Sequence, residues 1–390
     1  MSNKTFFSLF FSLSFFFNAC GSNDSEEFSL QEKEFVHNLF LTEYLWYDQV
    51  ASNVDYAEFT TPQNMINTLR IDPPDQWSFS MTEQEYEDYV NQTTAGFGFG
   101  YTPNLQIFLV RIDSPAYGKL IRGDHIMQID GEEASALLIR QASQNLNRAT
   151  TFTVLRNSDL MDITVTPSEY TFKVSLGNVI TLGTQKVGYL RYDSFTESSV
   201  AEFETIFDTF HAENIDELVI DMRYNGGGSV ATASALLDNI SNAYAGQRQM
   251  YLDWNANYQH KNASYTFEDA DLQDGNELSL KRVIFLTTQS SASASEAVIN
   301  ALVPYLGSAN VITIGDDSHG KPVGMQGRTY GENFYFLINF VVRNNADETT
   351  EFDGIDVTCT AEDDLTHIMG DENETMLRTA LHYIETGNCL

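Results

Sequence analysis

The chain has 390 residues, with 55 Asp and Glu against 21 Lys and Arg, for a formal net charge of −34. So acidic a chain argues against nucleic-acid binding, which needs clustered Lys and Arg, and against adsorption to anionic membrane surfaces. Hydrophobic residues at 42% and aromatics at 13% exclude a disordered acidic tail. At roughly 100–200 residues per domain, the length predicts two or three domains.

Lys4 precedes an apolar run from Phe6 to Phe17, broken only by Ser8, Ser12 and Ser14. Its length suits the apolar region of an export signal and falls short of the roughly 20 residues that span a bilayer. The run ends in Asn18-Ala19-Cys20-Gly21 and a polar stretch. This resembles a bacterial lipoprotein signal over residues 1–20, which implies a lipid on Cys20. The protein would then be exported and anchored in the cell envelope, facing the periplasm or the cell surface. An ordinary secretory signal with an incidental cysteine is the alternative.

Residues 21–94 are expected to form a small N-terminal helical cap. Phe35, Val36, Leu39, Phe40 and Leu45 follow a near-3.6 period within Phe28–Tyr47, and Thr82–Tyr89 adds a short charged helix. Asp72-Pro73-Pro74-Asp75 breaks the segment. From Ala95 the pattern turns to strands, with Gly96-Phe97-Gly98-Phe99, Ser114-Pro115-Ala116 and Gly123-Asp124-His125-Ile126-Met127-Gln128-Ile129-Asp130-Gly131 as landmarks.

Residues 169–390 alternate strands and helices, which predicts an α/β domain. Strands are expected at Val187–Tyr192, Leu218–Met222, Val283–Thr287 and Val311–Ile314. Helices are expected at Ser199–Phe210, Ala231–Ile240 and Glu296–Leu306. Residues 243–280 read as an irregular excursion. Cys359 and Cys389 are the two cysteines besides Cys20. In an exported chain they could pair, or stand as unrelated buried thiols. Seven scattered His with no metal-ligand spacing predict no metal site, and nothing calls for a cofactor.

Three segments carry chemistry. Leu218–Met222 runs into Asn225-Gly226-Gly227-Gly228, and a strand, Gly-rich turn and helix expose N–H groups suited to an oxyanion or a phosphate. No Gly-x-Gly-x-x-Gly or Gly-Lys-Ser/Thr follows, which disfavours phosphate. Gln289-Ser290-Ser291-Ala292-Ser293-Ala294-Ser295-Glu296 presents hydroxyls at a helix start, although Ser293-x-x-Glu296 is also a capping box. Gly320-Lys321-Pro322 places a lysine after a strand, and a desolvated lysine can serve as base to a serine.

Residues 95–168 resemble a PDZ module of the bacterial protease type. Together with the three segments and Val187–Phe195, they identify the chain as a member of the carboxy-terminal processing (tail-specific) serine peptidases. The resemblance covers roughly residues 95–360. It implies a ClpP/crotonase-like spiral α/β core with an inserted-type PDZ domain, within a multidomain α+β whole. It further implies Ser293 as nucleophile, Lys321 as base and Glu296 as the supporting acid. The N–H groups of Gly227 or Gly228 and of Ala294 would form the oxyanion hole. Gly96, Phe97, Gly98 and Phe99 would capture the C-terminal tail of a protein or peptide substrate.

The spacing from Ser293 to Lys321 is longer than the commoner family spacing. His319 also stands where an aromatic is more usual, so a Ser293–His319 pair with Asp316 or Asp317 is a rival. Two other functions remain open: a non-catalytic protein that binds peptides or hydrophobic ligands on this fold, and an acyl-CoA enzyme of the related fold.

Overall fold

The computed structural model describes residues 28–269, 275 and 277–390. The export signal and Cys20 lie outside the described residues.

The N-terminal segment consists of α1 (Leu30–Thr42), α2 (Pro62–Leu69), β1 (Phe79–Thr82) and α3 (Glu83–Val90). Ser29 and Thr61 cap α1 and α2, and Thr82 with Glu85 forms a full capping box on α3. A strand therefore lies inside the segment expected to be helical. Its partner is far away in sequence, which is why local periodicity missed it.

A second body follows. It comprises β2 (Thr93–Gly96), β3 (Phe99–Tyr101), β4 (Ile107–Val110), β5 (His125–Ile129), β6 (Glu132–Glu133), α4 (Ala136–Gln144), β7 (Thr150–Arg156), β8 (Asp159–Val165) and β9 (Ser168–Thr171). Its strands form a four-stranded sheet ordered β6-β5-β7-β8 and two pairs, β2-β9 and β3-β4. Phe97, Ile107, Leu120, Ile126, Phe152 and Val154 fill a core of its own.

The third body has the mixed α/β architecture expected from the sequence. Its elements begin with β10 (Ser175–Leu182), β11 (Gln185–Tyr192), α5 (Ser199–Glu213), β12 (Glu217–Asp221) and α6 (Val230–Ile240). They continue with β13 (Arg248–Trp254), β14 (Ala263–Thr266), β15 (Val283–Thr287), α7 (Ala294–Leu306) and β16 (Val311–Gly315). The last are β17 (Val323–Tyr330), β18 (Asn333–Arg343), β19 (Cys359–Thr360) and α8 (Thr375–Thr386). The main sheet runs β10-β11-β12-β15-β16-β19, parallel from β11 onward. Both faces are covered, as a parallel sheet requires. Leu218, Ile220, Val283 and Phe285 face α5, α6 and α7, whereas Val219, Ile284, Leu286 and Ile314 face α8. Cys359 and Cys389 are joined by a disulfide that ties the end of α8 to β19.

A second sheet, β1-β18-β13-β14 with β17 on β18, joins the N-terminal segment to this core. Tyr335 and Leu337 of β18 pack against Val36, Phe40 and Met65 of α1 and α2. The stretch expected to be an irregular excursion supplies two of these strands, β13 and β14. Among the described residues no helix is long and apolar enough to cross a membrane, and no cluster of His, Cys, Asp or Glu could hold a metal ion.

Candidate active site

The Gly-rich turn leaves β12 under tight control. Arg223, fully buried, pairs with Asp221 and with Glu374 at the start of α8, and Asp221 also accepts the Tyr189 hydroxyl at 2.7 Å. A buried cation is tolerated only when paired in this way. Asn225 then knits the turn together: its Nδ2 donates to Tyr192 O at 2.9 Å and its Oδ1 accepts Gly227 N–H at 2.9 Å. The Gly227 N–H is thus already engaged within the turn. Its Cα instead provides close approach, because a Cβ there would fall 2.9 Å from Ser293 Cβ. At Gly228, with φ of +144°, a Cβ would fall 2.3 Å from Phe195 O and 2.8 Å from the Tyr89 hydroxyl. Only glycine fits either position without rearrangement.

The serine run packs onto this turn. Ala292 N–H and the Ser295 hydroxyl both donate to Asn225 O, at 3.1 and 2.9 Å. The Ser291 hydroxyl donates to Met222 O at 2.8 Å. Ser291 and Ser295 are therefore structural. Ser293 differs: it lies at the N-terminus of α7 with φ 58° and ψ −112°, a conformation rare for a non-glycine residue. Ala294, the first residue of α7, has no helical carbonyl partner for its N–H, and the helix dipole favours negative charge in front of it.

Glu296 is buried and accepts four hydrogen bonds. Oε2 takes Ser293 N–H at 2.8 Å and Lys321 N–H at 2.9 Å. Oε1 takes Gly320 N–H at 2.7 Å and the Ser318 hydroxyl at 2.6 Å. One carboxylate thereby fixes the backbones of the serine and of the lysine together. The Ser293 N–H bond to Glu296 belongs to the capping box foreseen in the sequence, and the same side chain also anchors the lysine loop.

Lys321 keeps part of its surface accessible, but protein encloses it closely enough that burial pushes its ammonium down to about 8. The charges of Asp75 and Glu296 oppose that shift without cancelling it. Asp75 is buried in the N-terminal segment and accepts the Tyr44 and Ser78 hydroxyls and the Trp77 and Ser78 N–H groups. The Trp77 ring lies 5.9 Å from Lys321 Nζ. In the sequence Asp75 stands out only as part of the Asp72-Pro73-Pro74-Asp75 break, and neither it nor Trp77 is marked as a site residue. The only local sign was an aspartate and a tryptophan beside two prolines.

His319 does not share the lysine's position. Trp77 Nε1 donates to His319 Nε2 at 3.0 Å, and His319 Nδ1 faces Gln289 O at 3.2 Å. A neutral ring carrying its proton on Nδ1 satisfies both contacts and leaves no free nitrogen for Ser293. Asp317 is likewise engaged, accepting Val357 N–H at 2.9 Å.

Gly96, Phe97, Gly98 and Phe99 lie in the second body, where Phe97 is buried against Phe152. Arg122 docks this body beside the Gly-rich turn. It donates to Phe108 O and the Tyr224 hydroxyl, both at 2.5 Å, and ion-pairs with Asp363.

A sequence profile of Peptidase family S41 matches residues 186–359, and one of the Peptidase S41 N-terminal domain matches residues 31–79. The chain belongs to peptidase family S41. Among solved structures this S41 chain is similar to a candidate S41 protease of Bacteroides fragilis NCTC 9343. That likeness has 24% identity and a TM-score of 0.79, covering 90% of this chain and 97% of that one. It is also similar to the photosystem II D1 C-terminal processing protease, at 12% identity and a TM-score of 0.50, covering 85% and 92% of the two chains. At such identities the likeness is one of fold. No curated protein matches the chain. Membership of the family makes it a serine-type peptidase that acts on proteins or peptides.

Proposed function

We propose that this S41 peptidase cleaves its substrates with a Ser293–Lys321 dyad. The observation that carries the reading is the Glu296 carboxylate, whose single oxygen Oε2 accepts the N–H of both Ser293 and Lys321. Neutral Lys321 Nζ takes the Ser293 proton as Oγ adds to the scissile carbonyl. The Gly228 and Ala294 N–H groups stabilise the oxyanion that forms. Lys321 returns the proton to the leaving amine as the C–N bond breaks. Water, deprotonated by the same base, then hydrolyses the ester.

Residues 95–168 act as a PDZ module that captures substrate C-terminal tails. In support, among the described residues β3 pairs with β4 alone, which leaves its other edge open to an added strand. Gly96 and Gly98 have positive φ and allow close backbone approach at the loop that precedes that edge. The protein is exported and held in the cell envelope by a lipid on Cys20. The disulfide between Cys359 and Cys389 suits an oxidising compartment.

The test compares the wild-type protein with Ser293→Ala and Lys321→Ala on a peptide library read by mass spectrometry, each peptide made with a free and an amidated C-terminus. Both variants are expected to lose cleavage, and free tails are expected to be cut faster. Full activity in either variant rejects the dyad. Equal rates on free and amidated tails reject tail capture.

A further inference from the structure

A row of aromatic rings runs from the lysine side of the site to its oxyanion side, and neither the dyad nor the tail-binding module uses it. Phe79 of β1 pairs directly with Phe336 of β18, and Phe334 lies two residues on, on the same face of the sheet. The Phe79 and Phe336 rings stack at 5.0 Å and 14°, and Phe336 and Phe334 lie 6.2 Å apart at 16°. Tyr86 of α3 continues the row onto Phe334 at 4.4 Å and 20°. All four rings are half-buried. Gly327, opposite Phe336 on β17, keeps the row flat, because a Cβ there would fall 2.9 Å from the Phe336 ring.

Each end of the row abuts a catalytic element. At one end Trp77, two residues before Phe79, lies beneath Lys321 Nζ and holds His319. At the other, Tyr89, one turn after Tyr86 on α3, sets its hydroxyl 2.8 Å from where a Gly228 Cβ would stand. The row, a flat apolar wall, thus spans the distance between the neighbours of Lys321 and those of the Gly-rich turn. The spacing also fits. Same-facing side chains of an extended peptide repeat at roughly 6.5 Å, close to the Phe334–Phe336 separation.

We infer that Phe79, Phe336, Phe334 and Tyr86 form a substrate subsite that selects an extended segment with aromatic or large aliphatic side chains at alternate positions. This rests on the reading of the cleft as a peptidase site and adds to it a specificity independent of the C-terminal tail. Apolar burial and edge-to-face contacts supply the preference, since the faces of Phe336 and Phe334 are stacked on their neighbours.

The experiment measures binding by calorimetry to the full chain carrying Ser293→Ala, so that no cleavage intervenes. All peptides are C-terminally amidated, which removes the carboxylate a tail-binding loop would hold. One peptide carries Phe at positions i and i+2, a second of the same composition carries Phe at i and i+1, and a third carries Ser at both positions. The alternating peptide is expected to bind about tenfold more tightly than the serine peptide, with the adjacent one between them. Adding Phe336→Ala is expected to erase most of that preference, and Phe336→Leu or Tyr86→Ala to reduce it; these two keep the test open if the alanine variant does not fold. Equal affinities for all three peptides, or a preference that survives in the folded wall variants, overturns the subsite.

Cleavage by the wild-type protein is read separately. Cleavage without the alternating preference sinks the wall and leaves the peptidase reading. The preference without cleavage does the reverse.

Discussion

Glu296 reaches Lys321 through the main chain, its Oε2 accepting the lysine's backbone N–H at 2.9 Å. With Ser293, Gly320 and Ser318 on the same carboxylate, its lone pairs are fully used. Glu296→Gln turns an acceptor into a donor that faces these groups, leaving at least one buried donor unpaired. The variant is expected to lose about 1–3 kcal/mol of stability and to lower kcat more than it raises KM. Urea unfolding and steady-state kinetics check the two effects separately. Wild-type kcat in this variant would mean that the shared carboxylate does not position the dyad.

As the proposed base, Lys321 is expected to set the pH dependence. With its ammonium pushed down to about 8, kcat/KM should rise with pH and level off above that value. The same shift fixes the sign for stability. The unfolded chain, with an ordinary lysine, holds its proton up to about 10.5, so between 8 and 10.5 it binds more protons than the folded one. Lys321 therefore costs stability fully below pH 8, and that cost fades as pH rises towards 10.5. Lys321→Met is expected to be more stable than wild type by ~1–2 kcal/mol at pH 7, a figure reduced for partial solvation. The advantage should shrink by pH 10, as denaturant melts at the two pH values would show.

Gly228 has no room for a side chain. Gly228→Ala places a Cβ 2.3 Å from Phe195 O at a φ of +144°, so the turn must move. Loss of one oxyanion donor costs about 10²–10³ in kcat, and a fall of that size, with KM changed less, is the expected result. A variant with near-normal kcat would remove Gly228 from the oxyanion hole.

His319 tests the rival base. Because Trp77 and Gln289 engage its two ring nitrogens, His319→Gln should lower kcat by about tenfold at most, whereas Lys321→Ala should lose on the order of 10³-fold or more. The pH profile of His319→Gln should keep the inflection near 8. Movement of that inflection to the unperturbed lysine range would show that His319 and Trp77 maintain the lysine's environment.

The disulfide closes a 30-residue separation between β19 and the end of α8. Chain-entropy arguments give about 3–4 kcal/mol for such a loop. Cys389→Ser is expected to lower the melting temperature by several degrees, with a similar shift in wild-type protein after reduction. Unchanged melting in both cases would show that packing of Met376, Leu377, Ala380 and Ile384 into the core holds α8 by itself.

The periodicity of Leu218–Met222, Val283–Thr287 and the helices between them made the α/β core legible, because its strands are short continuous apolar runs that a doubly covered sheet needs. The serine run and the Gly-Lys segment were equally legible, since a helix start and glycines with positive φ demand particular residues locally. Three things were not. The strand Phe79–Thr82 exists only because β18 lies beside it. The pair β13–β14 lies in a largely polar stretch, where the Met250, Leu252, Trp254 alternation is too brief to stand out from irregular chain. Glu296 is expected from the sequence as a cap and as the acid supporting Lys321, but its main-chain bonds to Gly320 and Lys321, which cross 24 and 25 residues of sequence, are not.

By itself, then, the sequence determined which residue types stand at the head of α7, in the Gly-rich turn and after β16, since backbone conformation there leaves little choice. Only the tertiary structure decided how they act together. It brought Asp75 and Trp77 of the N-terminal segment to Lys321, and it engaged Gly227 N–H with Asn225 while leaving Gly228 against Phe195. Desolvation and hydrogen-bond satisfaction depend on neighbours in space, and a linear sequence does not say which those are.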